Sequence, residues 1–140
     1  MNLFQANTNA FVQFSKYVCN AIHKGSGNNG YCVGPSSAFI SRKYKDFAWL
    51  QEAFELGLLD VLDAFLIHPY RANGPETVIP DFKLLRDLID MYTPIGKTIP
   101  IYNGEWGYAS GSGAWQFVTE EDQGKIVPRM FLLSYLVTDG

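Results

Sequence analysis

Glu105 is the residue of this sequence best placed to do chemistry. It stands in Asn103-Gly104-Glu105-Trp106-Gly107-Tyr108, directly after the apolar run Ile99-Pro100-Ile101-Tyr102. The run is short and apolar enough to be a parallel strand covered on both faces. Gly104 and Gly107 let the backbone bend tightly beside the acid. Trp106 and Tyr108 supply flat walls of the kind that suit a sugar ring. On a plainer reading Glu105 is a surface charge or a helix cap, which leaves the glycines and aromatics without a use. A second polar cluster, His68-Pro69-Tyr70-Arg71, follows another apolar run, Leu62-Asp63-Ala64-Phe65-Leu66-Ile67. Trp115 is a further candidate wall, although large aromatics more often belong to a core.

The elements that must position these groups can be read in order. Apolar residues at Phe11, Phe14, Val18, Ala21 and Ile22 predict a helix from Thr8 to His23, closed by the turn residues Gly25 to Gly30. Tyr31-Cys32-Val33 reads as a brief strand entering a loop, Gly34-Pro35-Ser36-Ser37. A second helix spans about Lys45 to Leu56, burying Phe47, Trp49, Leu50, Ala53 and Phe54, with Gly57 as a left-handed cap. A third runs from about Glu76 to Tyr92 on Val78, Phe82, Leu85, Leu88 and Ile89, with Pro80 tolerated only near its first turns. After the Glu105 stretch comes a Gly/Ser-rich loop from Ala109 to Ala114 that holds Trp115. Thr119-Glu120-Glu121-Asp122 then opens a fourth helix, its acids at the positive end of the dipole, with Gly124 and Pro128 predicted to break it. Glu76, Glu120 and Glu121 read as dipole partners without a chemical role.

Composition narrows the function classes. At 140 residues, with 47% hydrophobic, 15% aromatic and 18% charged residues, the chain is one globular unit with ample core material. A net charge of -3 and the lack of a Lys/Arg run exclude a basic footprint, so neither nucleic acid nor an anionic membrane is an expected partner. No apolar run reaches the ~18 residues of a membrane span, and no leader follows Met1. Cys19 and Cys32 sit in no metal-ligand spacing and read as two buried thiols, with a bridge as the alternative. No metal or cofactor is expected.

Helices alternating with strands predict an α/β fold, a parallel sheet with crossover helices. Val33 to Leu66 spans 33 residues and Leu66 to Ile101 spans 35, near the roughly 31 per unit of a TIM (β/α)8 barrel. The candidate residues lie at the carboxyl ends of strands, where barrel enzymes build their sites, and no Gly-rich phosphate loop follows the first strand. The expectation is an incomplete barrel, about half of one, with a flavodoxin-like doubly wound domain as the alternative.

In order and spacing, Gly34-Pro35-Ser36-Ser37, then Asp60 through Arg71, then Ile99 through Tyr108 resemble strands five, six and seven of the clan A glycoside hydrolases, of the family 5 and family 39 kind that includes cellulase-like and xylosidase-like enzymes. The resemblance covers nearly the whole chain, so residues 1–140 are expected to be a single partial catalytic domain. It implies that Glu105 is the nucleophile of a retaining glycosidase acting on an oligo- or polysaccharide. It implies that His68 and Tyr70 line the sugar subsite, the Tyr70 hydroxyl touching the nucleophile, and that Trp106 and Tyr108 contact substrate. Arg71 is read as lining the mouth of the site. His68 as a satisfied core histidine, Tyr70 as a rim aromatic and Arg71 as a solvated charge are the plainer alternatives.

Retaining hydrolysis needs a second carboxyl group ~5 to 5.5 Å from the first. At an effective dielectric of about 20 that spacing gives ~3 kcal/mol of repulsion, or roughly two pKa units, which keeps the donor protonated beside a charged nucleophile. In the family the donor is the Glu of an Asn-Glu-Pro motif ending strand four, and this sequence holds no Asn-Glu-Pro. Its expected place is just before the first helix, with Asn2-Leu3-Phe4 as the tail of that motif and Met1 where the chain is cut. Leu136 to Gly140 stops about where strand eight would begin, so that strand's tryptophan is also absent. Open sheet edges then predict a partner half or self-association. Relatives of full length are commonly exported, but any leader would precede Met1. A sugar-binding or pseudoenzyme module without catalysis is the second functional expectation, and an unrelated doubly wound domain the third.

Overall fold

The structure, a computed structural model, describes residues 7–27, 29–38, 45–111 and 117–137. Three strands form a parallel sheet in sequential order: β1 (Val33–Ser37), β2 (Ala64–Ile67) and β3 (Ile101–Asn103). Four helices accompany them, α1 (Thr8–Gly25), α2 (Lys45–Glu55), α3 (Ile79–Tyr92) and α4 (Glu120–Val137). The expected alternation of helix and parallel strand is therefore present. A separate two-stranded parallel ladder, β4 (Ala109–Ser110) with β5 (Phe117–Val118), replaces part of the predicted loop. Trp115 lies outside the described residues.

The core forms where the strands' apolar face meets α2 and α3. Phe65, Ile67 and Ile101 point into it, against Leu50, Ala53 and Phe54 of α2 and Phe82, Leu85 and Ile89 of α3, all buried. Local chemistry ends these elements as expected. Gly57 adopts φ 81°, the left-handed cap that closes α2, and Pro80 sits in the first turn of α3 after a 3-10 turn at Pro75–Val78. Asn7 caps α1 by accepting from the Ala10 amide at 3.1 Å, and Thr119 caps α4 by accepting from the Asp122 amide at 3.0 Å.

Four local expectations are corrected. Full burial of the sheet's second face is not reached: Leu66 and Tyr102, paired across β2 and β3, are half-buried there, although Ala64 on that face is buried. Gly34-Pro35-Ser36-Ser37 is strand rather than loop. Pro35 offers no N–H, but β1 is an edge strand whose ladder is made on one side, and Ser36 at φ 65° forms the irregularity that re-registers Ser37 on Ile67. The helix α4 continues through Pro128. The carbonyl that the proline ring would strike belongs to Gly124, one turn earlier. Both residues are exposed, so the freed carbonyl meets water. On α1 the buried stripe is Thr8, Val12 and Cys19, while Phe14 and Ile22 are exposed, because α1 flanks the sheet edge and only one side of it has a neighbour.

Cys19 and Cys32 are joined in a disulfide rather than held as two thiols. The bond ties α1 to the start of β1 across 13 residues. Beside it, Nε2 of His23 meets Oδ2 of Asp63 at 2.7 Å, and the same oxygen accepts from the Cys32 amide at 2.7 Å. Partial burial raises the Asp63 pKa, but the Cys32 amide and His23 outweigh it and hold the carboxyl below its ordinary value. Further ties from α1 are Thr8 donating to Glu52 at 2.8 Å and Lys16 donating to the Leu56 carbonyl at 2.9 Å.

Two outcomes are expected. A loop of this length removes chain entropy worth about 3 kcal/mol from the unfolded state, so Cys19→Ser with Cys32→Ser lowers the unfolding free energy by about that amount in urea titrations, and a reductant has the same effect on the parent chain. Asp63 titrates lower in the folded than in the unfolded state, so its contribution is present above the unfolded pKa near 4 and is lost as pH falls through the folded value. The stability gap between the parent and Asp63→Asn therefore narrows on acidification from pH 6 to pH 3.

Candidate functional site

The site is built by the pairing of β2 with β3. Phe65, Leu66 and Ile67 register on Ile101, Tyr102 and Asn103, so the segments that leave both strands start side by side. The Gly104 amide donates to the Ile67 carbonyl at 2.9 Å and the His68 amide to the Ser37 carbonyl at 2.8 Å, extending the ladder past the strand ends. A Cβ on Gly104 would lie 2.9 Å from Cδ1 of Leu66 and 3.0 Å from Nε2 of His68, so the ends of those side chains would have to give way to it.

Across that junction the Tyr70 hydroxyl donates to Oε2 of Glu105 at 3.3 Å, and Nδ1 of His68 lies 3.6 Å from the same oxygen. Oε1 of Glu105 makes no hydrogen bond among the described residues. The Glu105 side chain is 59% exposed and that of His68 20%. Partial desolvation, then the charge and hydrogen bond of Glu105, raise the Tyr70 phenol above its ordinary pKa. The effect is what a neutral hydroxyl beside a carboxylate should show, since ionising Tyr70 would bring two negative charges together.

Glu105 opens onto a groove of about 220 Å³ lined by Asn103, Gly104, Glu105, Trp106, Met130, Phe131 and Ser134. Among these described lining residues Glu105 is the sole carboxylate. The α4 contributors went unseen in the sequence because Pro128 reads as a stop, leaving Met130, Phe131 and Ser134 without an assigned place. Asn103 donates to Ser134 at 2.8 Å and so ties the strand end to the helix.

Among the aromatic candidates, Trp106 lines the groove and is half-buried. Tyr108 does not present its ring there. It is 5% exposed, packs with Ile126 and Met130, and donates its hydroxyl to the Asn73 carbonyl. Gln123 donates to its backbone carbonyl at 2.6 Å. A large ring adjoining an apolar helix face gains more from burial than from standing in solvent. Arg71 is no solvated charge: its guanidinium carbon lies 5.8 Å from the Trp106 ring centroid, and it reaches Pro69, Thr77 and Asp81.

The arrangement presents one accessible carboxylate, steadied at a single oxygen by a neutral hydroxyl and an imidazole, beside an apolar wall. Such a group can attack an electrophilic carbon through Oε1 or hold a polyol by hydrogen bonds. The Tyr70 geometry is open to direct test. Glu105→Gln removes the neighbouring charge, so in an ultraviolet phenolate titration one tyrosine of the variant ionises at lower pH than in the parent, and Tyr70→Phe deletes that transition. An unchanged titration in Glu105→Gln would contradict the contact.

No protein-family model matches the chain, and no curated protein matches it.

Proposed function

We propose that this chain is a segment of a retaining glycoside hydrolase, in which Glu105 is the nucleophile and His68, Tyr70 and Trp106 form the wall of the sugar subsite. The observation that carries the reading is the Tyr70 hydroxyl 3.3 Å from Glu105, reached from the carboxyl ends of two neighbouring parallel strands. On this reading the three-stranded sheet is an arc of a (β/α)8 barrel. Its support is the sequential strand order, which shows no reversal of the doubly wound kind among the described strands, together with the site at the strands' carboxyl ends.

Oε1 of Glu105 attacks the anomeric carbon while Tyr70 and His68 hold Oε2, giving a glycosyl ester and expelling the leaving oxygen. That oxygen needs a proton unless it leaves as a stable anion. The groove offers no second carboxylate among the described residues; on the half-barrel reading the acid/base group belongs to the complementary half, and ordinary glycosides turn over slowly without it. The same observation supports a second reading, a carbohydrate-binding module that holds an oligosaccharide against Trp106 without cleaving it.

An activated 2-deoxy-2-fluoro glycoside separates the two, because dinitrophenolate leaves without protonation. Incubation with the glucoside and xyloside, then peptide mass spectrometry, is expected to show an adduct on Glu105 that is absent from Glu105→Gln. Oligosaccharide binding that survives Glu105→Gln, with no adduct in the parent, would favour the binding module. Neither adduct nor binding would remove both.

A further inference from the structure

Arg71, read from the sequence as lining the mouth of the site, meets Trp106 rather than the groove. It follows Tyr70 on the segment leaving β2, and its guanidinium faces the ring of Trp106, the residue after Glu105 on the segment leaving β3, at 5.8 Å from the centroid. The side chain is itself fixed. Nε donates to the Pro69 carbonyl at 3.1 Å, and Nη1 donates to Thr77 and to Asp81 of α3, each at 3.3 Å. Its side chain is 13% exposed. Burial pulls the guanidinium below its usual pKa and pushes the Asp81 carboxyl above its own, each opposed by the partner's charge.

Trp106 packs against the main core and against the Tyr108, Ile126 and Met130 cluster, and no hydrogen bond fixes its plane. Its indole nitrogen is buried and meets no acceptor at hydrogen-bonding geometry, although its proximity lowers the pKa of the Tyr108 phenol against the larger effect of burial. The Tyr108 hydroxyl donates to Asn73 instead. What faces the indole ring is Arg71, and a desolvated guanidinium over an indole is among the stronger cation-π contacts.

We propose that Arg71 is a positioning residue which, anchored on Asp81, sets the plane of Trp106 and thereby holds the Glu105 segment against Tyr70. The inference rests on reading Glu105 as the acid of the site, and it extends that reading to the residue that fixes the sugar-facing wall. A planar fork is needed to stack and hydrogen-bond at once, so lysine is not a substitute despite its charge.

The test runs first without sugar, so that its failure is distinct from failure of the glycosidase reading. Indole N–H resonances of the three tryptophans are assigned with Trp106→Phe and Trp49→Phe, and are followed in Arg71→Lys, Arg71→Met and Asp81→Asn. In Arg71→Lys and Arg71→Met the Trp106 resonance is expected to move and the Tyr70 phenol to ionise at lower pH, with the Trp49 resonance in place as the sign of an intact core. Asp81→Asn moves both in the same direction by less. If Arg71→Lys leaves Trp106 and Tyr70 as in the parent, or if all variants displace Trp49 equally, the proposal is overturned. Calorimetric titration with cellotriose and xylotriose is the second arm. Where the parent binds either, Arg71→Lys is expected to weaken it threefold or more, as a lost contact of ~0.7 to 2 kcal/mol would, and unchanged affinity would contradict the proposal.

Discussion

The hydrogen bond from the Gly104 amide to the Ile67 carbonyl, at 2.9 Å, is the constraint from which the rest of the site descends. It is the last rung of the ladder between β2 and β3, and it lies beyond the regular strand. Because parallel strands leave the sheet in the same direction, this rung makes two segments 35 residues apart in sequence depart as neighbours, one bearing His68 and Tyr70 and the other Glu105. An antiparallel pairing would have sent these polar groups to opposite ends. The core behind the ladder, Phe65, Ile67 and Ile101 against α2 and α3, sets the register, since a slip of one residue would turn those side chains out to water.

Around that junction, polar groups are satisfied mostly by pairs that cross between elements. Asn103 reaches Ser134, Arg71 reaches Asp81, and Arg129 grips Glu76 through both nitrogen donors. Glu76 was expected only to complement a helix dipole, yet it fixes α4 to the turn before α3, and the Arg129 hydrogen bond leads the effects that lower its pKa. Of these, the Arg129–Glu76 pair is exposed and contributes little stability by itself. With the Asn103–Ser134 bond it ties α4 to the turn before α3 and to the end of β3, and α4 supplies Met130, Phe131 and Ser134 of the groove wall.

Much of this was legible in the sequence because the signals were local. The helical spacing at Phe82, Leu85, Leu88 and Ile89, the cap at Gly57 and the abrupt change from Ile67 to His68 each depend on a few neighbouring residues. What was not legible depended on distant partners. Pro35 reads as a loop until an edge position is known to leave one side of its strand unpaired. Pro128 and Gly124 read as a break until the helix is seen to carry both on its exposed side. Tyr108 and Trp106 have the same aromatic character and lie two residues apart, but one turns into the small core of Ile126 and Met130 while the other lines the groove. Two cysteines 13 apart carry no sign of their pairing until α1 is laid beside β1.

The bare Cα of Gly104 has a consequence for how such a site would be lost through descent. Exchange of the acid for its amide preserves shape and removes only charge. Any side chain at position 104, even a methyl, must displace Leu66 or the imidazole of His68. Damage there travels to the carboxylate through its neighbours while the carboxylate itself stays in the gene. A lineage drifting away from chemistry could therefore keep its glutamate for a long time after the glycine had gone, and a surviving acid in a related chain would be poorer testimony to activity than the missing side chain beside it.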